Sequence, residues 1–147
     1  AGDSQARVEW GGFAARLYRG ALYLASREAF QPWQGDVLWP EGAPPPALPH
    51  WHWSKQGAEG DIWVLRPPGN LQLRALSGSL VVRRNGLHQQ IKELWRAAGV
   101  PPWQRRQWPL LLRDGEVVSV PLVGLADGEE GDNSERWYLL PSNEAPR

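Results

Sequence analysis

Cysteine and methionine are absent from the 147 residues, isoleucine occurs only at Ile62 and Ile91, and lysine only at Lys55 and Lys92. Without thiols there is no disulfide, no zinc–thiolate centre and no thiol nucleophile. Mean hydropathy is −0.50 and no long apolar run exists, which excludes a transmembrane helix. The N-terminus has no basic stretch followed by an apolar one, so no secretory signal is expected there. The lack of methionine, including an initiator, leads to the expectation that the chain is a piece of a longer one. A surface of one charge sign is excluded overall, because 16 basic side chains balance 16 acidic ones. The length suits one or two small domains with a sizeable core.

The balance of charge is not local. Residues 1–65 carry 5 basic and 7 acidic side chains, residues 66–113 carry 9 basic side chains against Glu93 alone, and residues 114–147 carry 2 basic against 8 acidic. A block this basic suits a polyanion such as a phosphate backbone. The plainer alternative is that basic and acidic segments neutralise each other across one folded surface. Arginine outnumbers lysine 14 to 2, and planar guanidinium groups suit bidentate phosphate contacts. Abundant Leu, Ala, Pro and Gly beside scarce Ile is also the pattern of a GC-rich coding bias, so the arginine excess discriminates little by itself.

Along the chain, Val8–Trp10, Phe13–Tyr18 and Ala21–Leu24 predict a small antiparallel meander around glycine turns. Residues 30–53 hold Pro32, Pro40, Pro44, Pro45, Pro46 and Pro49 with Trp33, Trp39, Trp51 and Trp53, which predicts an ordered loop or a linker. A strand is expected over Asp61–Leu65, and the Pro67-Pro68-Gly69 turn after it is the predicted domain boundary. Strands follow at Leu71–Arg74 and Leu80–Arg83, then an Asn85-Gly86 turn. Leu87, Ile91, Leu94, Trp95 and Ala98 then fall on one face of an amphipathic helix over about 87–98 that Gly99 and Pro101-Pro102 stop. Pro109–Arg113 and Glu116–Val120 make a hairpin around Asp114-Gly115, and a last strand, Arg136–Leu140, follows an acidic loop at 127–135. The class is α+β, mostly antiparallel, with one main helix and two small subdomains divided as 1–66 and 67–147.

No catalytic constellation is visible. Ser77-Gly78-Ser79 lacks the neighbours of a phosphate-binding loop, His50 and His52 are too few to hold a metal, and the acidic loop reads as a solvated turn rather than an acid/base pair. The helix offers a different chemistry on its polar side. His88, Lys92 and Arg96 are spaced i, i+4, i+8, Arg83 and Arg84 precede them, and Arg105 and Arg106 follow. Such a stripe can track a nucleic-acid backbone; an ordinary solvated face is the alternative. Trp95 is expected in the core, and Trp103 and Trp108 are expected to pack rather than to stack on bases. Trp33, Trp39, Trp51 and Trp53 are a possible ligand platform.

Residues 94–112 carry a resemblance. Lys92-Glu93-Leu94-Trp95, Val100-Pro101-Pro102-Trp103, Arg105-Arg106, Pro109-Leu110-Leu111 and Asp114-Gly115-Glu116-Val117-Val118 resemble the C-terminal region of bacterial tRNA(Ile)-lysidine synthetases. Arg84-Asn85-Gly86, His88 and Ile91-Lys92 resemble the segment leading into that region's helix, and Trp10-Gly11-Gly12 through Leu24 resemble strands of the preceding substrate-recognition domain. The likeness is good over 71–121, fair over 7–25 and absent between. It implies an enzyme that uses ATP to ligate lysine to the wobble cytidine of tRNA(Ile) in the cytoplasm. The family's serine-glycine-glycine-x-aspartate-serine loop is absent here, so the resemblance implies a non-catalytic, tRNA-binding portion. Residues 1–66 would end the substrate-recognition domain and 67–147 form the C-terminal tRNA-binding domain, with Arg83, Arg84, His88, Lys92, Arg96, Arg105 and Arg106 on the tRNA. No cofactor is expected in this portion. ATP and lysine would belong to the N-terminal catalytic domain, a partner along with tRNA(Ile). Two positions depart from the family pattern: Gln89 stands where an arginine is usual, and Leu122 where glycine often follows Val-Pro.

Two other functions compete. A carbohydrate- or peptide-binding β module would use the Trp33 to Trp53 platform and be insensitive to salt. A purely structural interaction domain would need neither the platform nor the basic stripe.

Overall fold

A computed structural model describes residues 5–10, 13–18, 21–26, 36–49, 51–101, 107–129, 131 and 133–141. The meander is present as β1 (Gln5–Trp10), β2 (Phe13–Tyr18) and β3 (Ala21–Ser26), paired antiparallel in the order β1-β2-β3. The remaining described elements are β4 (Val37–Trp39), β5 (Trp51–Ser54), β6 (Ile62–Arg66), β7 (Leu71–Ala75), β8 (Val81–Arg84), β9 (Leu87–Gln90), α1 (Ile91–Ala97), β10 (Pro109–Arg113), β11 (Glu116–Val120), β12 (Gly124–Leu125) and β13 (Glu135–Pro141). The α+β, mostly antiparallel class holds.

At the centre is a five-stranded antiparallel sheet, β12-β11-β10-β7-β4. Its middle strand β10 reads as an apolar run because both its faces are covered: Leu110, Leu111 and Leu112 are all fully buried. One face meets the β5-β13-β6 sheet through Leu71, Leu73, Leu111 and Val118, packed with Val64 and Leu139. The other carries Leu110, Leu112, Val117 and Val120, packed with Val82, Ile91, Trp95 and Trp108. A bulge between Leu111 and Leu112 in the β10–β11 register shifts the pairing from Leu111↔Ser119 to Leu112↔Val117.

Three expectations need correction. The proline- and tryptophan-rich stretch is not a linker: β4 lies within it and pairs with β7, while Pro44, Pro45 and Pro46 occupy the turn-out between β4 and β5. Short strands flanked by proline fit at a sheet edge, where no ladder amide is lost. The Pro67-Pro68-Gly69 turn is likewise no division between cores, because β4 and β6 on one side pair with β7 and β13 on the other. Arg66 ties the two sides together. It is 4% exposed, and its guanidinium donates to the carbonyls of Trp39 (3.1 Å), Pro40 (3.3 Å), Pro67 and Gly69 (2.9 Å) while lying 4.7 Å over the Trp39 ring. Burial pushes its pKa below the ordinary arginine value.

The third correction concerns the helix. It begins at Ile91, because Leu87–Gln90 pairs with β8 around Asn85-Gly86. Both turn residues have positive φ, 55° and 75°, the geometry of a two-residue hairpin turn that an Asn-Gly pair favours. Gly99 (φ 84°) ends the helix as expected: its amide donates to Arg96 O, and that of Val100 to Trp95 O at 2.9 Å, the paired closure of a Schellman motif.

Candidate nucleic-acid interface

Of the nine basic side chains of residues 66–113, the seven that the structure describes divide into two groups by what they touch. Arg66, Arg74 and Arg113 belong to the fold. Arg74 makes a bidentate pair with Asp36 at 2.8 Å for both bonds, and Arg113 reaches the Glu129 carboxylate at 2.7 and 2.8 Å and the Pro68 carbonyl. For Arg74 and Arg113, neutralisation within one fold is the correct reading. Arg105 and Arg106 lie outside the described residues, as do Trp103, Trp33 and His50. The rest sit on one hairpin and the helix that follows it without a break.

On the hairpin, Arg83 of β8 stands directly across from His88 of β9, and both are exposed. Cross-strand partners share a face, so these two cations project together. Arg84, one position on, turns to the opposite face, where it is half-buried and donates to Val123 O at 3.3 Å. On α1, Lys92 and Arg96 are exposed and one turn apart, about 6 Å along the axis. Arg96 also pairs with Glu93 at 3.3 Å. His88 therefore does not continue a helical stripe with Lys92 and Arg96. It reaches the same stretch of chain through the hairpin register, beside Arg83.

The two departures from the family pattern acquire physical meaning here. Gln89 pairs with Val82, which is 1% exposed, so its side chain leaves the hairpin on the face opposite Arg83 and His88. An arginine there would not have joined that pair. Leu122 has φ of 61°, the left-handed region that glycine enters without cost, which explains why glycine suits this position.

A residue that sequence reading passed over holds the hairpin in place. Asp127, assigned to a solvated turn, accepts the amides of Asn85 (3.0 Å) and Gly86 (2.8 Å) on its two carboxylate oxygens. These bonds, made to the charged form, hold its pKa below the usual carboxylate value, with Arg83 and Arg84 adding a smaller pull in the same direction. A depressed folded value means that the contact stabilises above the ordinary Asp range and is lost as pH falls through the folded pKa. Amide proton shifts of Asn85 and Gly86 should accordingly titrate with a midpoint below 3.8, the ordinary Asp value, and lose that transition in Asp127→Ala. A midpoint at or above it would show that the carboxylate does not bind the turn in solution.

Among the described tryptophans, Trp39, Trp95 and Trp108 are buried in the core and Trp51, Trp53 and Trp137 pack partly buried against it. Trp39, Trp53 and Trp137 pack on one another with ring centroids 5.1 to 6.3 Å apart, and the indole N–H groups of Trp39 and Trp53 donate to Ala43 O (3.0 Å) and Pro46 O (2.9 Å). Trp95 is fully buried as expected, donates to Pro121 O at 2.8 Å and meets Trp108 edge-on at 5.5 Å. Trp108 packs too, at 2% exposure. Among the described residues no group of three or more His, Asp or Glu could hold a metal ion, and no helix is long and apolar enough to cross a membrane.

Residues 70–140 match the family described as the TilS substrate C-terminal domain. The match takes in 71 of the 147 residues. All seven basic positions named from the sequence lie inside the matched TilS stretch, as does Asp127. Relatives include the tRNA(Ile)-lysidine synthases of Serratia proteamaculans (strain 568), 28% identical over 149 residues, and of Escherichia coli O157:H7, 31% identical over 137 residues. These alignments cover 93% and 88% of this chain but 32% and 31% of those proteins. The enzyme of Chromobacterium violaceum is 32% identical over 129 residues, covering 86% of this chain and 24% of its own. The chain thus spans about a third or less of these curated relatives. A crystal structure of a TilS C-terminal domain aligns over 75% of this chain and all of its own at 19% identity, with a TM-score of 0.43.

Proposed function

We propose that this chain is the tRNA-contacting C-terminal portion of a tRNA(Ile)-lysidine synthase, acting in the cytoplasm. It positions tRNA(Ile) while a catalytic domain of the same enzyme binds ATP and lysine and performs the ligation. The observation that carries this reading is the coincidence of two independent features: the family match over 70–140 encloses the exposed cations of β8, β9 and α1. Arg83 and His88 project from one hairpin face, and Lys92 and Arg96 lie one turn apart on the helix it enters. Duplex RNA is read largely through backbone and shape, so charge placed at intervals on rigid elements suits the task. Arg84 contributes less, being bonded to Val123 O, and Arg105 and Arg106 complete the proposed set. Against the carbohydrate- or peptide-binding alternative, Trp39 is buried in the core and Trp53 packs on it.

The test is a salt series with a tRNA(Ile) transcript. Three or four phosphate contacts give a log–log slope of roughly −2 to −4. Affinity that stays flat with salt, or no binding to this chain at all, would overturn the proposal.

A further inference from the structure

The β8–β9 hairpin is a two-stranded sheet of its own, separate from the five-stranded sheet beside it. Such ribbons are marginal without support. Val82 anchors one face of it in the core, and its turn end is held by the segment after β11. Arg84 donates to Val123 O, the Asp127 amide donates to Arg83 O at 2.8 Å, and the Asp127 carboxylate spans the two turn amides. That segment is itself anchored: Ala126 is buried and donates to Val118 O at 2.9 Å, and Glu129 is clamped by Arg113. A continuous path of bonds therefore runs from the central sheet to the tip of the hairpin, and Asp127 is its last link.

We propose that Asp127 is a positioning residue for the RNA contact, fixing the hairpin so that Arg83 and His88 are presented together to phosphates. This deepens the tRNA-contact reading and rests on it. Simple electrostatics predicts the opposite consequence of losing Asp127. A carboxylate beside Arg83 and Arg84 repels phosphate, so its removal should tighten binding. A positioning role makes removal weaken binding, although the variant loses a negative charge relative to the parent.

The experiment measures binding of a tRNA(Ile) transcript to this chain and to Asp127→Ala, Asp127→Asn, Arg83→Ala and the Arg83→Ala, Asp127→Ala double variant across a salt series. Asp127→Ala should weaken affinity about fivefold at about 0.1 M salt, the electrostatic worth of one phosphate contact. Its salt slope should fall by roughly 0.7 as the Arg83 contact is lost. Asp127→Asn, which keeps an oxygen acceptor and the side-chain shape, should fall between Asp127→Ala and the parent. In the Arg83→Ala background, Asp127→Ala should cost much less, because the contact it positions is already gone. A merely structural role would give additive losses and an unchanged slope. Tighter or unchanged binding by Asp127→Ala, with Arg83→Ala weakened, would overturn the positioning role and leave the tRNA-contact reading standing. Parent-like binding by Arg83→Ala as well would remove the hairpin from the interface altogether.

Discussion

Trp95→Ala should destabilise the chain by about 3 to 5 kcal/mol, the range for removing a fully buried tryptophan. The ring is 0% exposed and packs with Val82, Leu110, Leu112 and Val120 on the sheet face that α1 covers. Two further losses accompany the cavity. The Pro121 carbonyl loses its 2.8 Å donor, and Trp108 loses its edge-on partner. Equilibrium denaturation followed by far-ultraviolet circular dichroism reads the effect without relying on the deleted fluorophore. A loss below about 1 kcal/mol would show that the ring does not fill the core as described. The effect also reaches the proposed interface. A helix of seven residues is not stable alone, and Ile91 and Trp95 are its only buried anchors. Lys92 and Arg96 occupy their places because Trp95 holds the turn between them against the sheet.

That anchoring was legible in the sequence, because Ile91, Leu94 and Trp95 recur at helical spacing and Gly99 supplies a recognisable stop. Leu87 misled, since it continues the same spacing while belonging to a strand. A four-residue strand and a helical turn can share one apolar pattern, and the local turn chemistry of Asn85-Gly86 decided between them. It was also the sequence signal that could have placed His88 on a strand. The hidden strand β4 has a different cause. Three residues beside a proline carry too little pattern to be seen, and their pairing with β7 closes a loop of more than thirty residues. Arg66 and Asp127 were invisible for a third reason. Charge counts cannot tell a guanidinium bonded to four carbonyls, or a carboxylate bonded to two turn amides, from groups facing water. Among the described residues, subtracting the side chains committed to the fold leaves the hairpin and helix cations that the sequence had singled out.

The Lys92→Ala, Arg96→Ala double variant is the direct measure of what those helix cations do. Both side chains are exposed, and Arg96 makes a solvent-screened ion pair with Glu93. Exposed pairs contribute about 1 kcal/mol at most, and alanine is a good helix former, so thermal stability should change little. Binding should change much more. Two phosphate contacts carry a combined salt slope of roughly 1.4 to 1.8, and at about 0.1 M salt their loss corresponds to roughly thirtyfold weaker affinity. The same variant should show a salt slope flatter by that amount. Affinity and slope must move together, because a change of affinity at constant slope points to altered shape rather than lost charge. Parent-like affinity across the whole salt series would make this helix a solvated face and confine any RNA contact to the hairpin.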